Sequence, residues 1–304
     1  MSENALNQIA PLSSTLHPMP KPGEQFTIRD LLYGLTMCSG NECANILAEA
    51  VCGDIDSFVE LMNERAKEAG AKNTHFSNPH GLDADDHLTT AYDMALIMNA
   101  ALKNPAAKEI LSAKTYTIPE TAYTSERNMT SGHKMVSGEF ECEGVYAGKP
   151  GYTRLAQSTL VTAAKRDDVD LIAVVMAAPT SKIRFSDAIT LLNYGFSVCS
   201  IYKDEEPLDT ESIKISSGRQ DKIRITKEKD YSYMFINKYN NDDIRRECII
   251  NDNIKAPLKE GDEVGVIKYY YNEAYIGSVK LISCENVDTA GFMDSVKKIF
   301  KSLL

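Results

Sequence analysis

Apolar residues recur at helical spacing through the first hundred positions of the chain. Residues 27–30 have the form of a helix capping box, and a break at residues 38–41 separates that first helix from a second over residues 42–51. Residues 56–69 and 90–105 repeat the spacing. The apolar positions that carry the pattern are Leu31, Leu32, Leu35, Phe58, Leu61, Met62, Ala66, Ala69, Met94, Ile97, Ala101 and Leu102. The pattern predicts that this part is mainly helical.

After residue 150 the hydrophobic period changes to that of strands. Residues 157–164 and 169–178 are predicted to form two strands around a turn at 166–168, and the second is apolar enough for burial on both faces. A helix is predicted over residues 181–194, and its apolar side would hold Ala188, Leu191 and Leu192. Together these elements predict an α+β domain over residues 1–199, an antiparallel sheet covered by helices.

Residues 200–287 have the pattern of short strands and turns. Their alternating, β-branched or aromatic segments are 212–215, 222–226, 231–236, 263–270 and 275–282. The pattern predicts a small, all-β domain of sandwich type.

The last segment, residues 288–304, has the pattern of an amphipathic helix. Its two faces carry Phe292, Met293, Val296, Ile299, Phe300, Leu303 and Leu304 on one side and Lys297, Lys298 and Lys301 on the other. Such a helix lies in a membrane surface or packs on the neighbouring β domain, and the segment alone favours neither.

Composition narrows the function classes. With 43 Asp and Glu against 33 Lys and Arg, the net charge of -10 argues against nucleic acid as a partner. No apolar run approaches the roughly 20 residues of a membrane-spanning helix. The 5 histidines are scattered, and the 7 cysteines contain no C-x-x-C pair, so we expect no metal and no cofactor.

Three segments carry candidate chemistry. Ser39-Gly40-Asn41 puts a hydroxyl and a carboxamide in the break between two helices, where they would relay a proton and hold a substrate amide, or form a simple turn. Lys149-Pro150-Gly151 offers a cation and open backbone for a terminal carboxylate, or is a surface lysine before a turn. The segment Asn78–Asp83, with His87, is interpreted as a turn with Asx-type hydrogen bonds, a scaffold rather than a catalyst.

These segments, in this order and spacing, resemble one enzyme family. The run Lys21–Asn45, the segment Asn73–Asp93 and Gly148–Thr153 closely resemble the serine-type D-alanyl-D-alanine carboxypeptidases, the low-molecular-mass penicillin-binding proteins of peptidase family S11. The likeness covers residues 1–196 well. The β domain and the terminal amphipathic segment are similar to that family's C-terminal domain and membrane anchor.

The resemblance implies a fold, a reaction and roles for four residues. The fold would be a transpeptidase-like (β-lactamase-like) domain, and the reaction the removal of terminal D-Ala from peptidoglycan stem peptides through an acyl-enzyme that penicillins trap. By resemblance Ser39 would relay a proton to or from the leaving group and Asn41 would hold the substrate amide. Lys149 would bind the terminal carboxylate, and Gly151 would leave room for substrate along the strand. The implied location is the extracytoplasmic cell envelope, peripheral on the membrane.

Two features depart from the family pattern. Pro150 replaces the threonine of K-T-G, which removes a hydroxyl and a backbone donor. No S-x-x-K nucleophile motif lies upstream of Ser39, and the three matches elsewhere, at 131–134, 200–203 and 295–298, are interpreted as chance. Because residues 1–5 resemble the family segment that follows the nucleophile's helix, we expect that the domain begins midway, as a fragment or from an internal methionine. The chain as printed is then expected to be inactive.

Two alternatives stay open at this point. A non-catalytic wall-binding or scaffolding protein would keep the cleft and the β domain without the chemistry. A cysteine hydrolase would use Cys38 or Cys43 with His75, His80 or His87, which requires a base next to a thiol of depressed pKa.

Overall fold

The computed structural model describes residues 2–7, 9, 13–208 and 211–294, which divide into two compact units between Ser197 and Val198. Among the described residues the first unit begins with six helices. They are α1 (Glu3–Asn7), α2 (Ile28–Cys38), α3 (Asn41–Cys52), α4 (Ile55–Glu68), α5 (Ala91–Leu102) and α6 (Pro105–Ser112). The sequence pattern predicted α2 to α5 but not α1 and α6.

Local sequence fixes where these helices start and stop. Thr27 and Asp30 form the expected capping box at the start of α2, each side chain bonded to the other residue's backbone N–H. Gly53 ends α3 in the left-handed conformation that glycine adopts without strain. The starts of α4, α5 and α6 are capped by the side chains of Asp54, Thr90 and Asn104.

The sheet of the first unit has three antiparallel strands in the order β3-β4-β5. The elements after α6 are β1 (Thr115–Ile118), β2 (Arg127–Thr130), α7 (Lys134–Ser137), β3 (Val145–Thr153), β4 (Gln157–Arg166), β5 (Val169–Ala178) and α8 (Ser181–Val198). Ala163 and Leu160 of β4 are fully buried, since the helices cover the sheet. On the outer side of β3 no strand is paired among the described residues, so that edge is open.

The second unit consists of strands around an aromatic core. Its elements are β6 (Cys199–Lys203), β7 (Ser212–Lys214), β8 (Lys222–Lys227), β9 (Ser232–Ile236), a 3-10 turn (Asn241–Asp243), β10 (Ile244–Ile250), β11 (Glu263–Tyr271) and β12 (Ala274–Ser283). Five strands form one sheet in the order β10-β11-β12-β8-β7, and β6 pairs with β9. Tyr231 and Tyr269 stack in the core with ring centroids 3.7 Å apart.

The predicted α+β class with antiparallel sheets is confirmed, and some details differ. Strands β1, β2, β6 and β10 were not predicted. On α8 the buried face holds Phe185, Ala188 and Leu192, whereas Leu191 is 48% exposed, so its predicted place on the apolar side was wrong.

Most of the predicted amphipathic segment, residues 295–304, lies outside the described residues. Of its apolar positions, Phe292 and Met293 are described and are exposed. Among the helices that the structure describes, none has the length and apolar character to span a bilayer.

Candidate functional site

The break between α2 and α3 forms a tight corner around Ser39. Ser39 ends α2 in the left-handed region with φ 54°, and the N–H of Gly40 bonds to Gly34 O at 3.3 Å. Asn41 begins α3, and its backbone N–H donates to Ser14 O at 2.9 Å. The corner is therefore held from both sides by backbone hydrogen bonds.

Lys149, which is 110 residues further along the chain, reaches this corner from β3. Its Nζ donates to Ser39 Oγ and to Pro150 O, the latter at 2.9 Å. Burial of the ammonium, together with the nearby positive charge of Arg184, lowers the pKa of Lys149 to about 8, while Cys38 opposes the shift. The structure thus brings together two of the predicted site residues, Ser39 and Lys149. The lowered pKa means that Lys149 loses its proton more easily than an ordinary lysine.

Asn41 adds an amide donor whose partner is missing among the described residues. Its side chain is 5% exposed, and Nδ2 has no acceptor in the described part of the chain. A buried donor without an acceptor is costly, so most such groups in folded proteins have a partner. Asn41 Nδ2 is an exception at the start of α3.

Glu42 anchors the corner from the side of α3. Its carboxylate is fully buried and accepts the backbone N–H of Leu16 at 2.6 Å. Burial raises the pKa of Glu42, and the hydrogen bond from Leu16 opposes that rise. Glu42 thus ties the segment before α2 to the start of α3 and supports the position of Asn41.

Gly151 allows the strand next to Lys149 to pass close to β4. A Cβ at Gly151 would lie 2.7 Å from Thr159 Oγ1, which is shorter than real contacts. The carbonyl of Gly151 accepts from Arg184 NH1 at 2.6 Å, and the same nitrogen bonds Thr159 O at 3.3 Å. Arg184 therefore places a second cation, on α8, under the strand that carries Lys149.

Arg184 is a site residue that the sequence analysis missed. Arg184 lies four positions before Ala188 and eight before Leu192, which places it on the buried face of α8. Only 8% of its surface is exposed. An arginine at an apolar helical position is a detectable signal, because buried charges are rare without a partner.

His133 lies beside the strand of Lys149 on the side of Phe185. Its Nδ1 accepts the N–H of Val136 at 3.2 Å, and a Cβ at Gly148 would come 2.5 Å from its Nε2. Burial lowers the pKa of His133 to about 4, so the ring is neutral at physiological pH. His133 therefore contributes packing and a hydrogen bond but no positive charge.

The segment Asn78–Asp83 has the Asx-type turn that the sequence predicts. Asn78 Oδ1 accepts the N–H of Gly81 at 2.7 Å, and Nδ2 donates to Leu82 O. At the end of the turn Asp83 accepts from Thr153 Oγ1 and from the N–H of Leu155. The turn therefore braces the β3–β4 hairpin next to Gly151.

Among the described residues no hydrogen bond joins Cys38 or Cys43 to the three histidines of the cysteine alternative, and His80 Nδ1 accepts the N–H of Leu82. Cys43 is buried, and burial raises the pKa of both Cys38 and Cys43, which keeps the thiols protonated. The side chains of His75 and His87 bond within residues 75–87, to Asp86 and Ser77 respectively. Over the described ranges no cluster of three or more His, Cys, Asp or Glu side chains forms a metal site.

Two models of known protein families match the chain, at residues 1–180 and 196–289. A family model described as D-alanyl-D-alanine carboxypeptidase matches residues 1–180, and one described as the C-terminal domain of penicillin-binding protein 5 matches residues 196–289.

Similar proteins and structures extend along nearly the whole chain. The chain is 29% identical to the D-alanyl-D-alanine carboxypeptidase DacF of Bacillus subtilis over 91% of its own length and 71% of that protein. It is 32% identical to DacC of Escherichia coli, over 91% of this chain and 68% of the relative. The crystal structure of penicillin binding protein 5 from Haemophilus influenzae aligns with a TM-score of 0.70 and 27% identity, covering 94% of this chain and 81% of that one.

Proposed function

The chain belongs to the D-alanyl-D-alanine carboxypeptidase family, peptidase family S11, and we propose that the corner where Ser39 meets Lys149 binds the D-Ala-D-Ala end of a peptidoglycan stem peptide. The observation that carries the proposal is the hydrogen bond from Lys149 Nζ to Ser39 Oγ. It joins the two family motifs, from a helix corner and from an edge strand, in one place. Such a pair offers a cation for a carboxylate and a hydroxyl for proton transfer.

In the proposed reaction a nucleophilic serine attacks the carbonyl of the last peptide bond. The bond to the terminal D-Ala breaks, its nitrogen takes a proton and leaves as an amine, and water then hydrolyses the serine ester. Ser39 relays the proton, and the Asn41 amide holds the substrate carbonyl. Lys149 binds the terminal carboxylate, and Gly151 leaves space for the peptide along β3. The buried Nδ2 of Asn41 and the close approach of Gly151 to Thr159 support these roles.

The two S-x-x-K matches among the described residues, at 131–134 and 200–203, make other contacts than a nucleophile pair would. Lys134 of the first match turns to Glu139, with Nζ bonded to its carboxylate at 2.6 Å, and Ser200 of the second bonds Asn237 O at 2.8 Å. The third, 295–298, lies outside the described residues. We therefore propose that the chain as printed binds the peptide without forming an acyl-enzyme.

Two assays on the 304-residue chain test this proposal. Incubation with a fluorescent penicillin should leave no labelled band, while penicillin binding protein 5 from Haemophilus influenzae serves as the positive control. An N-acylated Lys-D-Ala-D-Ala tripeptide should bind, seen by NMR titration, and Lys149→Met should weaken that binding. A labelled band that resists boiling in detergent would contradict the proposed absence of a nucleophile, and unaltered binding by Lys149→Met would contradict the role of Lys149.

The alternative of a non-catalytic wall-binding protein rests on Pro150 and on the missing S-x-x-K motif. The curated relatives are named as carboxypeptidases, which favours an enzymatic origin. Peptide binding without turnover, by a chain whose natural start is Met1, would support the alternative. An upstream, in-frame S-x-x-K segment in the DNA would exclude it.

We further propose that the protein acts in the extracytoplasmic cell envelope and that residues 292–304 attach it to the membrane surface. The lysines of that segment would contact anionic lipid head groups while its apolar face enters the interface. Flotation with vesicles that contain an anionic lipid should carry the full chain and leave a chain ending at residue 291 behind. Equal flotation of both would contradict the anchor.

A further inference from the structure

A cavity with charged walls lies on the side of the sheet that α5 covers, apart from the corner of Ser39 and Lys149. It has a volume of about 230 Å³ and is lined by the end of α5, by α6 and by strands β3 and β5. Its residue on β3, Tyr146, precedes Lys149 by three positions, which corresponds to roughly 10 Å along a strand. The described residues that line the cavity are all different from those of the corner.

Two lysines form the positive wall of this cavity. Lys103 caps the end of α5, and Lys108 lies on α6, which begins two residues after Lys103. Both side chains are exposed, and within the described part of the chain neither forms an ion pair with a carboxylate. Two like charges at one cavity repel each other, and an anion placed between them would turn that repulsion into attraction.

Tyr146 joins the positive wall to a negative one. Lys108 Nζ lies over its ring, 4.9 Å from the centroid. The hydroxyl of Tyr146 donates to Asp170, whose two carboxylate oxygens are each 3.2 Å away. Burial and the charge of Asp170 raise the pKa of Tyr146 to about 12, so the hydroxyl keeps its proton and remains a donor at neutral pH. The cavity therefore presents an ammonium group over the ring and a carboxylate at the hydroxyl.

Asp170 has room for a further donor. An ionised carboxylate offers about four lone-pair sites, and the Tyr146 hydroxyl supplies a single proton to them. Lys165 stands opposite Asp170 across β4 and β5, yet among the described residues no cation forms an ion pair with this carboxylate. Asp170 can therefore accept hydrogen bonds from a cation that enters the cavity.

The volume of the cavity limits the size of a ligand. At roughly 30 Å³ for each water-sized group, 230 Å³ holds about eight such groups. That volume suits a single small amino acid better than a dipeptide. An amino acid also carries the two charges that match the walls, a carboxylate and an ammonium joined through one carbon atom.

We propose that this cavity binds a small zwitterionic amino acid. The ligand's carboxylate lies between Lys103 and Lys108, and its ammonium donates to Asp170. Its side chain contacts Leu102 and Ile172, the apolar residues of the lining. The inference goes beyond the proposed function, since it concerns a site separate from the corner, and the ligand class includes the D-Ala that the proposed reaction would release.

Isothermal titration calorimetry on the 304-residue chain tests this site with three ligands. D-Ala carries both charges, propionate lacks the ammonium, and D-alaninamide lacks the carboxylate. The variants are Lys108→Met and Asp170→Asn, and Lys114→Met, an exposed lysine outside the cavity, is the matched control. Lys149→Met shows whether the ligand binds at the corner instead. Thermal melts verify that each variant is folded.

For the wild type we expect one saturable binding event with D-Ala, and binding of propionate and D-alaninamide that is at least about tenfold weaker, because each lacks one charge-assisted hydrogen bond. Lys108→Met should weaken the binding of D-Ala by a similar factor. Asp170→Asn should reduce the affinity for D-Ala to about that for propionate. Lys114→Met and Lys149→Met should bind D-Ala as the wild type does.

Three results would overturn the inference. They are a lack of D-Ala binding, equal affinities of the wild type for D-Ala and propionate, which would show a simple anion site, and loss of D-Ala binding in Lys149→Met, which would place the ligand at the corner. The binding of the tripeptide is measured separately, so failure of this inference and failure of the proposed function are distinguishable.

Discussion

Replacing Lys149 by methionine is expected to change how the stability of the first unit depends on pH. In the folded chain the pKa of Lys149 is about 8, against 10.5 for an ordinary lysine. Between these values the unfolded chain holds a proton that the folded chain has lost. Unfolding therefore takes up a proton, and the free energy of unfolding rises with pH through this window.

The size of this effect follows from the two pKa values. Between pH 7 and pH 9.5, linkage gives the wild type a gain of about 2 kcal/mol from Lys149. Buried thiols and tyrosines with raised pKa, such as Cys43 and Tyr146, act in the opposite direction as pH rises. Because both proteins contain them, the difference between wild type and Lys149→Met isolates the lysine.

Urea unfolding at pH 7 and pH 9.5, followed by circular dichroism at 222 nm, measures this difference. The long helices that the structure describes are in the first unit, so the signal at this wavelength reports mainly on it. We expect the wild type to gain about 2 kcal/mol relative to Lys149→Met between the two pH values. Parallel changes in the two proteins would refute the conclusion that Lys149 loses its proton easily in the fold.

Three further measurements test other parts of the first unit. Glu24 and Arg127 form a fully buried ion pair at 3.0 Å, so Glu24→Ala should lower the free energy of unfolding by about 3–5 kcal/mol in urea titrations, and a change below 1 kcal/mol would contradict the pairing. Gly151→Ala should cost about 1–3 kcal/mol through its contact with Thr159, and a second substitution, Thr159→Ala, should restore most of it; no recovery would show that backbone strain is the cause. In the native protein at pH 8, iodoacetamide should leave Cys43 unmodified, as mass spectrometry of peptides would show, and rapid labelling of that thiol would contradict its burial and raised pKa.

The helices and the nature of the site were predictable because their signals are local or carried by motifs. A capping residue and a glycine stop set the ends of α2 and α3 within one turn of the chain. The neighbourhood of Ser39 and Lys149 followed only from the order of family motifs, since 110 residues separate them and no local pattern links them.

Long-range polar contacts were beyond the reach of the sequence. Glu24 is hydrogen-bonded to Arg127, which lies 103 positions further along the chain. Taken alone, each is a charged residue of a type that is usually exposed. The face of α8 was misjudged at Leu191 because a helix with apolar residues on several sides gives no unique buried face. Strand β10 was missed because its arginines and glutamate interrupt the alternation that predicts a strand.

The left-handed backbone at Ser39 affects how mutants of this serine are interpreted. An alanine there keeps the steric cost of a side chain at positive φ, whereas a glycine removes it, a difference of about 1 kcal/mol between two replacements that delete the same hydroxyl. Ser39→Ala and Ser39→Gly therefore form a natural pair. A defect common to both belongs to the missing oxygen, and a defect seen in one alone belongs to the architecture of the corner.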